Sequence, residues 1–117
     1  MAKKALENLT ESMFYILMAF SQGEKCGVDV TDFINQITDG RVQIGPATLY
    51  TILGKFEKER LLQEIAVEGR KRTYALTEKG FHVYEHEICR LTYCLADAEK
   101  LLSKQELQNL LSRDFSM

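Results

Sequence analysis

Gly45-Pro46-Ala47-Thr48-Leu49-Tyr50-Thr51-Ile52-Leu53-Gly54-Lys55-Phe56-Glu57-Lys58-Glu59-Arg60 is the stretch whose reading decides the fold. Pro46 suits the first position of a helix, where its missing N–H costs nothing. Leu49, Ile52, Leu53 and Phe56 recur at helical spacing and form an inner stripe, which predicts a helix from Pro46 to about Arg60. Tyr50, Thr51, Lys55 and Lys58 are left on its other faces. Gly54 weakens the middle of that helix by about 1 kcal/mol relative to alanine. It either admits close approach of another backbone or is simply tolerated.

Two short apolar runs follow, Leu61 to Val67 and Thr73 to Leu76, and predict a β-hairpin. Between them Glu68-Gly69-Arg70-Lys71-Arg72 reads as a turn carrying three consecutive cations. Leu76-Thr77-Glu78-Lys79-Gly80 then starts another helix. Upstream, Thr10 is an N-cap for a helix over 9–21 carrying Met13, Ile16, Leu17 and Phe20, with Phe14 and Tyr15 widening its apolar face. Gly23 to Gly27 read as a turn. A second helix runs from about Val28 to Ile37, with Val30, Phe33, Ile34 and Ile37 inward, and Gly40 ends it. The fold class is therefore mainly α with a small β-hairpin. Helices followed by a basic-tipped hairpin have the outline of a winged helix-turn-helix, and DNA binding is the leading functional expectation.

Net charge is −2 over 117 residues, which alone argues against nucleic acid. Its distribution argues the other way. Residues 40–80 hold eight cations and five anions, net +3, and the remainder is net −5. The 45% apolar fraction supplies a real core, and one proline without low-complexity tracts leaves little room for long disorder. No apolar run approaches the ~18 residues of a membrane span, so no membrane partner is expected. Met1 to Glu7 lack the apolar stretch and cleavage site of a signal peptide, so the expected location is cytoplasmic. Cys26, Cys89 and Cys94 contain no Cys-x-x-Cys pair and read as reduced thiols, with a redox role for Cys26, in its loop, as the alternative.

Phe81, Tyr84, Ile88, Leu91, Leu95, Ala98 and Leu102 alternate spacings of three and four, a heptad seam that packs against the first helix or a second copy of the chain. Ser103-Lys104-Gln105-Glu106 has capping-box form and starts a short helix with Leu107, Leu110 and Leu111.

A helix fits the major groove of B-DNA, where base edges are readable. Thr48, Thr51 and Lys55 share one face by i, i+3 and i+7, and Tyr50 lies near the same end. The alternatives are packing for Tyr50 and ordinary solvated charge for Lys55 and Lys58. Arg70, Lys71 and Arg72 repel one another at a hairpin tip, but gain contacts and counterion release against phosphates. Catalysis is poorly supported: no Gly-rich phosphate loop and no nucleophile–base set occurs, and the expectation is no enzyme and no cofactor. His82 and His86 lie at i, i+4, but Val83 stands where the zinc-protease motif has Glu, and no third ligand is evident, so no metal is expected.

The chain resembles the PadR family of transcriptional regulators, in its short form with a single main C-terminal helix. Leu9 to Leu17 is similar to the family's opening helix. Gly40-Arg41-Val42-Gln43-Ile44-Gly45-Pro46-Ala47-Thr48-Leu49-Tyr50 is similar to its most specific motif. Gly69 to Tyr74 and Leu76 to Gly80 are similar to its wing and the start of its last helix. The resemblance implies a winged helix-turn-helix over 1–80, a C-terminal helical dimerisation region over 81–117, and a homodimeric repressor on an inverted-repeat operator. It implies DNA contacts from Arg41, Thr48, Tyr50, Thr51, Lys55, Lys58, Arg70, Lys71 and Arg72. The long C-terminal helix would cross the partner's first helix, with an interface of Met13, Leu17, Phe81, Tyr84, Ile88, Leu91, Leu95, Ala98 and Leu102. A small aromatic or drug-like effector would release DNA, with Phe14, Tyr15, Tyr84 and Tyr93 as pocket candidates.

Three positions depart from the family pattern: Cys26-Gly27-Val28 for an often-seen His-Gly-Tyr, Gly54 for a usual basic residue, and Arg60 for a usual Gly. These bear on operator sequence and affinity. Two rivals stand beside the repressor: a winged helix used for protein–protein contact, and a thiol- or metal-responsive sensor.

Overall fold

A computed structural model describes residues 9–113. The elements are α1 (Glu11–Phe20), β1 (Lys25–Cys26), α2 (Gly27–Ile37), α3 (Pro46–Lys58), β2 (Leu62–Glu68), β3 (Lys71–Leu76), α4 (Glu78–Glu99) and α5 (Lys104–Leu111). Five helices with a small antiparallel sheet match the expected class. The described residues divide between Glu85 and His86 into two compact units.

In the first unit the helices begin where their caps place them. Thr10 Oγ1 accepts the Met13 N–H at 3.1 Å, and Pro46 occupies the first turn of α3 behind Gly45. Leu49, Ile52, Leu53 and Phe56 are buried, as their spacing predicts, beside Ile16, Leu17 and Phe20 of α1 and Val30 and Ile34 of α2. Each such side chain contributes roughly 1.5–3 kcal/mol by leaving water. Ile37 shares the inward face of α2, but it is the helix's last residue and lies 54% exposed.

The sheet has the order β1-β3-β2, all antiparallel. The turn expected over Gly23 to Gly27 contains a strand instead: Lys25 pairs with Tyr74 and Cys26 with Thr73. A two-residue strand has no periodicity of its own and exists because its partner lies alongside. Cys26 therefore sits in a strand, buried, and not in a loop. Its N–H and S–H donate to the Asp29 carboxylate at 3.1 and 3.2 Å, and these bonds hold Asp29 below the usual carboxylate range.

The wing also differs from expectation at its tip. Glu68 pairs with Lys71 and Val67 with Arg72, so the turn shrinks to Gly69-Arg70 and the other two cations belong to β3. Successive strand residues face opposite sides of a sheet. Arg70 thus stays in the turn, and Lys71 and Arg72 open β3 beside it. At the base of the wing, the Tyr74 ring meets Phe20 edge-on at 6.4 Å.

Leu76 to Gly80 form a clasp on the end of α3. Thr77 donates its N–H to the Leu61 carbonyl at 3.0 Å and its hydroxyl to the Arg60 carbonyl at 2.7 Å, while Lys79 Nζ reaches the Glu59 carbonyl at 2.9 Å. Gly80 has to be glycine, because a Cβ there would collide with the Leu61 carbonyl.

Arg60 closes α3 in the left-handed region, at φ 63°. Its N–H donates to Glu57 O at 3.0 Å and that of Leu61 to Phe56 O at 2.8 Å, the paired bonds of a Schellman motif. Asp39 closes α2 in the same way at φ 51°, ahead of Gly40. A non-glycine residue in this conformation is strained by about 1–2 kcal/mol, partly offset by glycine's larger freedom when unfolded. Arg60→Gly is expected to stabilise the protein by about 0.5–1 kcal/mol. Thermal melts that leave the variant equal to or below the parent would refute this.

In the second unit, α5 starts at the expected capping box: Ser103 Oγ accepts the Glu106 N–H at 3.0 Å, and Glu106 Oε1 accepts the Ser103 N–H at 2.8 Å. Arg90 grips the Glu87 carboxylate with two nitrogens, at 2.8 and 2.6 Å, and holds it below the usual range. Every residue from Ile88 to Lys100 is exposed.

Candidate nucleic-acid interface

The inner stripe of α3 is fully used by the core, which leaves its other faces to solvent. Thr48, Tyr50, Thr51, Lys55 and Lys58 are all exposed. Thr48, Thr51 and Lys55 share one face, and α3 begins at Gly45 without a side-chain cap, so its first N–H groups remain available to an acceptor. The Tyr50 residue is 58% exposed, yet its hydroxyl lies over the first turn of α2: a Cβ on Gly27 would stand 2.6 Å from it. Gly27 thereby sets where the phenol rests, a role that local sequence did not reveal.

Opposite this helix stands the wing. Arg72 Nη1 lies 3.6 Å from Glu64 Oε1, whereas Arg70, at the turn, has no ion pair among the described residues. Burial pushes the Tyr74 phenol above its ordinary value, against the opposing pull of the neighbouring Arg72. An open groove of about 810 Å³ separates α3 from the wing. Tyr50, Gly54 and Glu57 of α3 line it together with Arg70, Lys71 and Arg72 of the wing, and Cys26, Gly27 and Asp29 at the start of α2 also border it. Asp29 and Glu57 were not anticipated in this place. Neither carries a motif signal; only the packing of α2 and the wing brings them to the groove.

Arg41, expected as a DNA contact, donates from Nη2 to the Tyr15 hydroxyl at 3.0 Å. Tyr15, expected in an effector pocket, is thereby tied to the linker that precedes α3. Phe14 lies 5.6 Å from Tyr84 with the rings tilted by 33° and meets Tyr15 edge-on at 5.9 Å, so three of the four pocket candidates form one aromatic cluster. Tyr93 belongs to the other unit and is 74% exposed.

The expected interface residues divide into two groups. Met13 is buried and Leu17 has no exposed surface, because both fill the core beneath α1. Their side chains belong to that core, whereas the other expected interface residues lie on α4 or just after it. Phe81, Ile88, Leu91, Leu95 and Ala98 are exposed, while Tyr84 and Leu102 are half-buried. His82 and His86 are exposed, and among the described residues no group of three or more His, Cys, Asp or Glu side chains is placed to hold a metal. Cys89 and Cys94 are exposed free thiols. No described helix is long and apolar enough to cross a membrane.

The model of the transcriptional regulator PadR-like family matches residues 16–86, more than half of the chain. The fold is similar to that of Bordetella bronchiseptica BpsR, a protein whose DNA binding is regulated by 6-hydroxynicotinic acid. The two are 21% identical, with a TM-score of 0.68, over 92% of this chain and 73% of that one. Bacillus subtilis PadR, solved in complex with operator DNA, is 21% identical with a TM-score of 0.62, over 86% of this chain and 65% of that one. The ferric uptake regulation protein of Escherichia coli is 29% identical over 87 residues, 74% of this chain and 57% of that protein. The chain spans between about a fifth and just over half the length of the curated relatives it matches.

Proposed function

Since the chain belongs to the PadR-like family of transcriptional regulators, we propose that it is a repressor that binds an inverted-repeat operator in the cytoplasm as a homodimer. Members of this family are transcription regulators and not enzymes. The observation that carries the reading is the pairing of the exposed polar face of α3 with a basic wing across one groove. In this reading α3 enters the major groove, with Thr48, Tyr50, Thr51 and Lys55 supplying register and sequence preference. Lys58, Arg70, Lys71 and Arg72 meet backbone phosphates, and Arg41 adds a contact beside the start of α3. Two-fold symmetry sets the two reading helices about 34 Å apart, one turn of DNA.

The second copy covers the seam of α4. Ile88, Leu91, Leu95 and Ala98 form an exposed apolar stripe, and a helix gains most of its stability from burying such a stripe. Release by a small aromatic molecule is supported by two things. The Phe14–Tyr15–Tyr84 cluster is tied through Tyr15 to Arg41, and the similar BpsR is regulated by 6-hydroxynicotinic acid.

The test is titration of the purified protein with the DNA upstream of its own gene, at several salt concentrations. Saturable binding of two chains per site, clearly tighter than to scrambled DNA, is the expected result. Sequence-blind binding would refute the operator reading, and no binding at low salt would favour a protein-interaction role for the winged helix.

A further inference from the structure

We propose that Gly27 is a positioning residue for DNA recognition: it seats the Tyr50 phenol on the first turn of α2, so that the ring meets the duplex already oriented. The proposal rests on the DNA-binding reading above. A glycine serves where the backbone turns left-handed or where another group approaches too closely for a side chain. Gly27 is not among the residues with positive φ. What it provides is close approach, and the three atoms nearest to a Cβ built on it all belong to Tyr50. The hydroxyl oxygen would stand at 2.6 Å, Cζ at 3.1 Å and Cε1 at 3.3 Å. At Gly80 the same construction meets the Leu61 carbonyl, which the clasp holds in place. Tyr50 is instead 58% exposed, and an exposed ring can swing into solvent. A side chain at position 27 would therefore spare the fold and move the phenol.

The seat itself is fixed from both sides. Cys26, immediately before Gly27, is buried and paired with Thr73 in the sheet. The Asp29 carboxylate accepts the Cys26 N–H at 3.1 Å, which closes the capping box at the start of α2. Gly27 lies between these two restraints and is itself buried. The Tyr50 ring thus rests on a backbone that cannot yield, although most of the residue faces solvent. An exposed side chain that must be immobilised when a partner binds costs affinity, and one held in its bound place beforehand does not. Gly27 acts on recognition only through that ring.

The full chain, Gly27→Ala, Tyr50→Phe and the double variant are compared by titration with the upstream DNA and by the tyrosine-ring signals in NMR spectra. The chain has five tyrosines, and the signal missing from Tyr50→Phe assigns Tyr50. Gly27→Ala is expected to displace that signal and to bind the DNA about fivefold more weakly. Phenylalanine at position 50 removes the oxygen that would stand 2.6 Å from the new methyl group and leaves carbon contacts of 3.1 and 3.3 Å, which a small shift accommodates. On the Tyr50→Phe background, Gly27→Ala is therefore expected to change affinity by less than about twofold. An equal loss on both backgrounds overturns the proposal, because glycine would then act without the phenol. Unchanged binding by Gly27→Ala overturns it too, as does an unfolded Gly27→Ala chain, since glycine would then serve the fold. All three results leave the DNA reading standing. Absence of binding by the unaltered chain overturns both.

Discussion

Replacing Arg70, Lys71 and Arg72 together with alanine is expected to weaken binding to every duplex, upstream or scrambled, by about 100-fold at moderate salt. Each charge-assisted contact contributes roughly 1.5–3 kcal/mol in isolation, and neighbouring cations on one hairpin add less than their sum. The plot of log K against log salt is expected to flatten by about 0.9 for each phosphate no longer neutralised. The ratio of upstream to scrambled affinity should change little, because phosphate contacts position the protein and do not read bases. The three residues are not equivalent. Arg72 is partly committed to Glu64 at 3.6 Å, and Lys71 lies close enough to Asp29 to lower its pKa. Arg70 occupies the turn without such a partner, so Arg70→Ala alone should produce the largest single effect. An unchanged salt slope in the triple variant would remove the wing from the DNA interface.

Leu91→Glu combined with Leu95→Glu is expected to convert a dimer into a monomer at micromolar concentration, read by sedimentation or light scattering. Both residues are exposed on α4, Leu95 at 57%. Burying such a stripe on a second copy gains about 25 cal/mol for each Å² covered, and two carboxylates placed in it reverse that gain. The core of the first unit includes neither residue, so the winged helix should keep its own melting transition. Operator affinity is expected to fall by 100-fold or more, since one chain loses the effective concentration that linked half-sites provide. A variant that stays dimeric would move the interface away from this seam. A monomer that binds the operator at full affinity would show that dimerisation is not used for recognition.

The repressor reading and the rivals part at Cys26. A redox role needs an accessible thiol, and Cys26 is instead a buried strand residue donating its S–H to Asp29. The histidine pair gains no third ligand among the described residues. Neither observation favours a sensor.

Much of the fold was legible in sequence because its signals are short-ranged. Thr10, Ser103 with Glu106, and Pro46 mark helix starts through bonds and dihedrals within three or four residues. The stripe of Leu49, Ile52, Leu53 and Phe56 records which side of α3 is buried, whatever it is buried against. The polar positions of the candidate site followed by subtraction, as the residues α3 does not use for the core.

What tertiary structure alone decided lies at longer range. β1 exists because Thr73 and Tyr74 pair with Cys26 and Lys25, across nearly fifty residues. The same pairing, with the tight Gly69-Arg70 turn, draws Lys71 and Arg72 into β3. Met13 and Leu17 carry an apolar pattern that suits an interface and a core equally, and only the packing of α1 assigns them to the core. The Arg41–Tyr15 bond and the contact of Tyr50 with Gly27 join residues that have no periodic relation. Caps and periodicity are written in neighbouring residues, so the chain itself determined its helices, their inner faces and its family. Which surfaces meet depends on how those elements stack, and that placed Asp29, Glu57 and Gly54 in one groove with the wing.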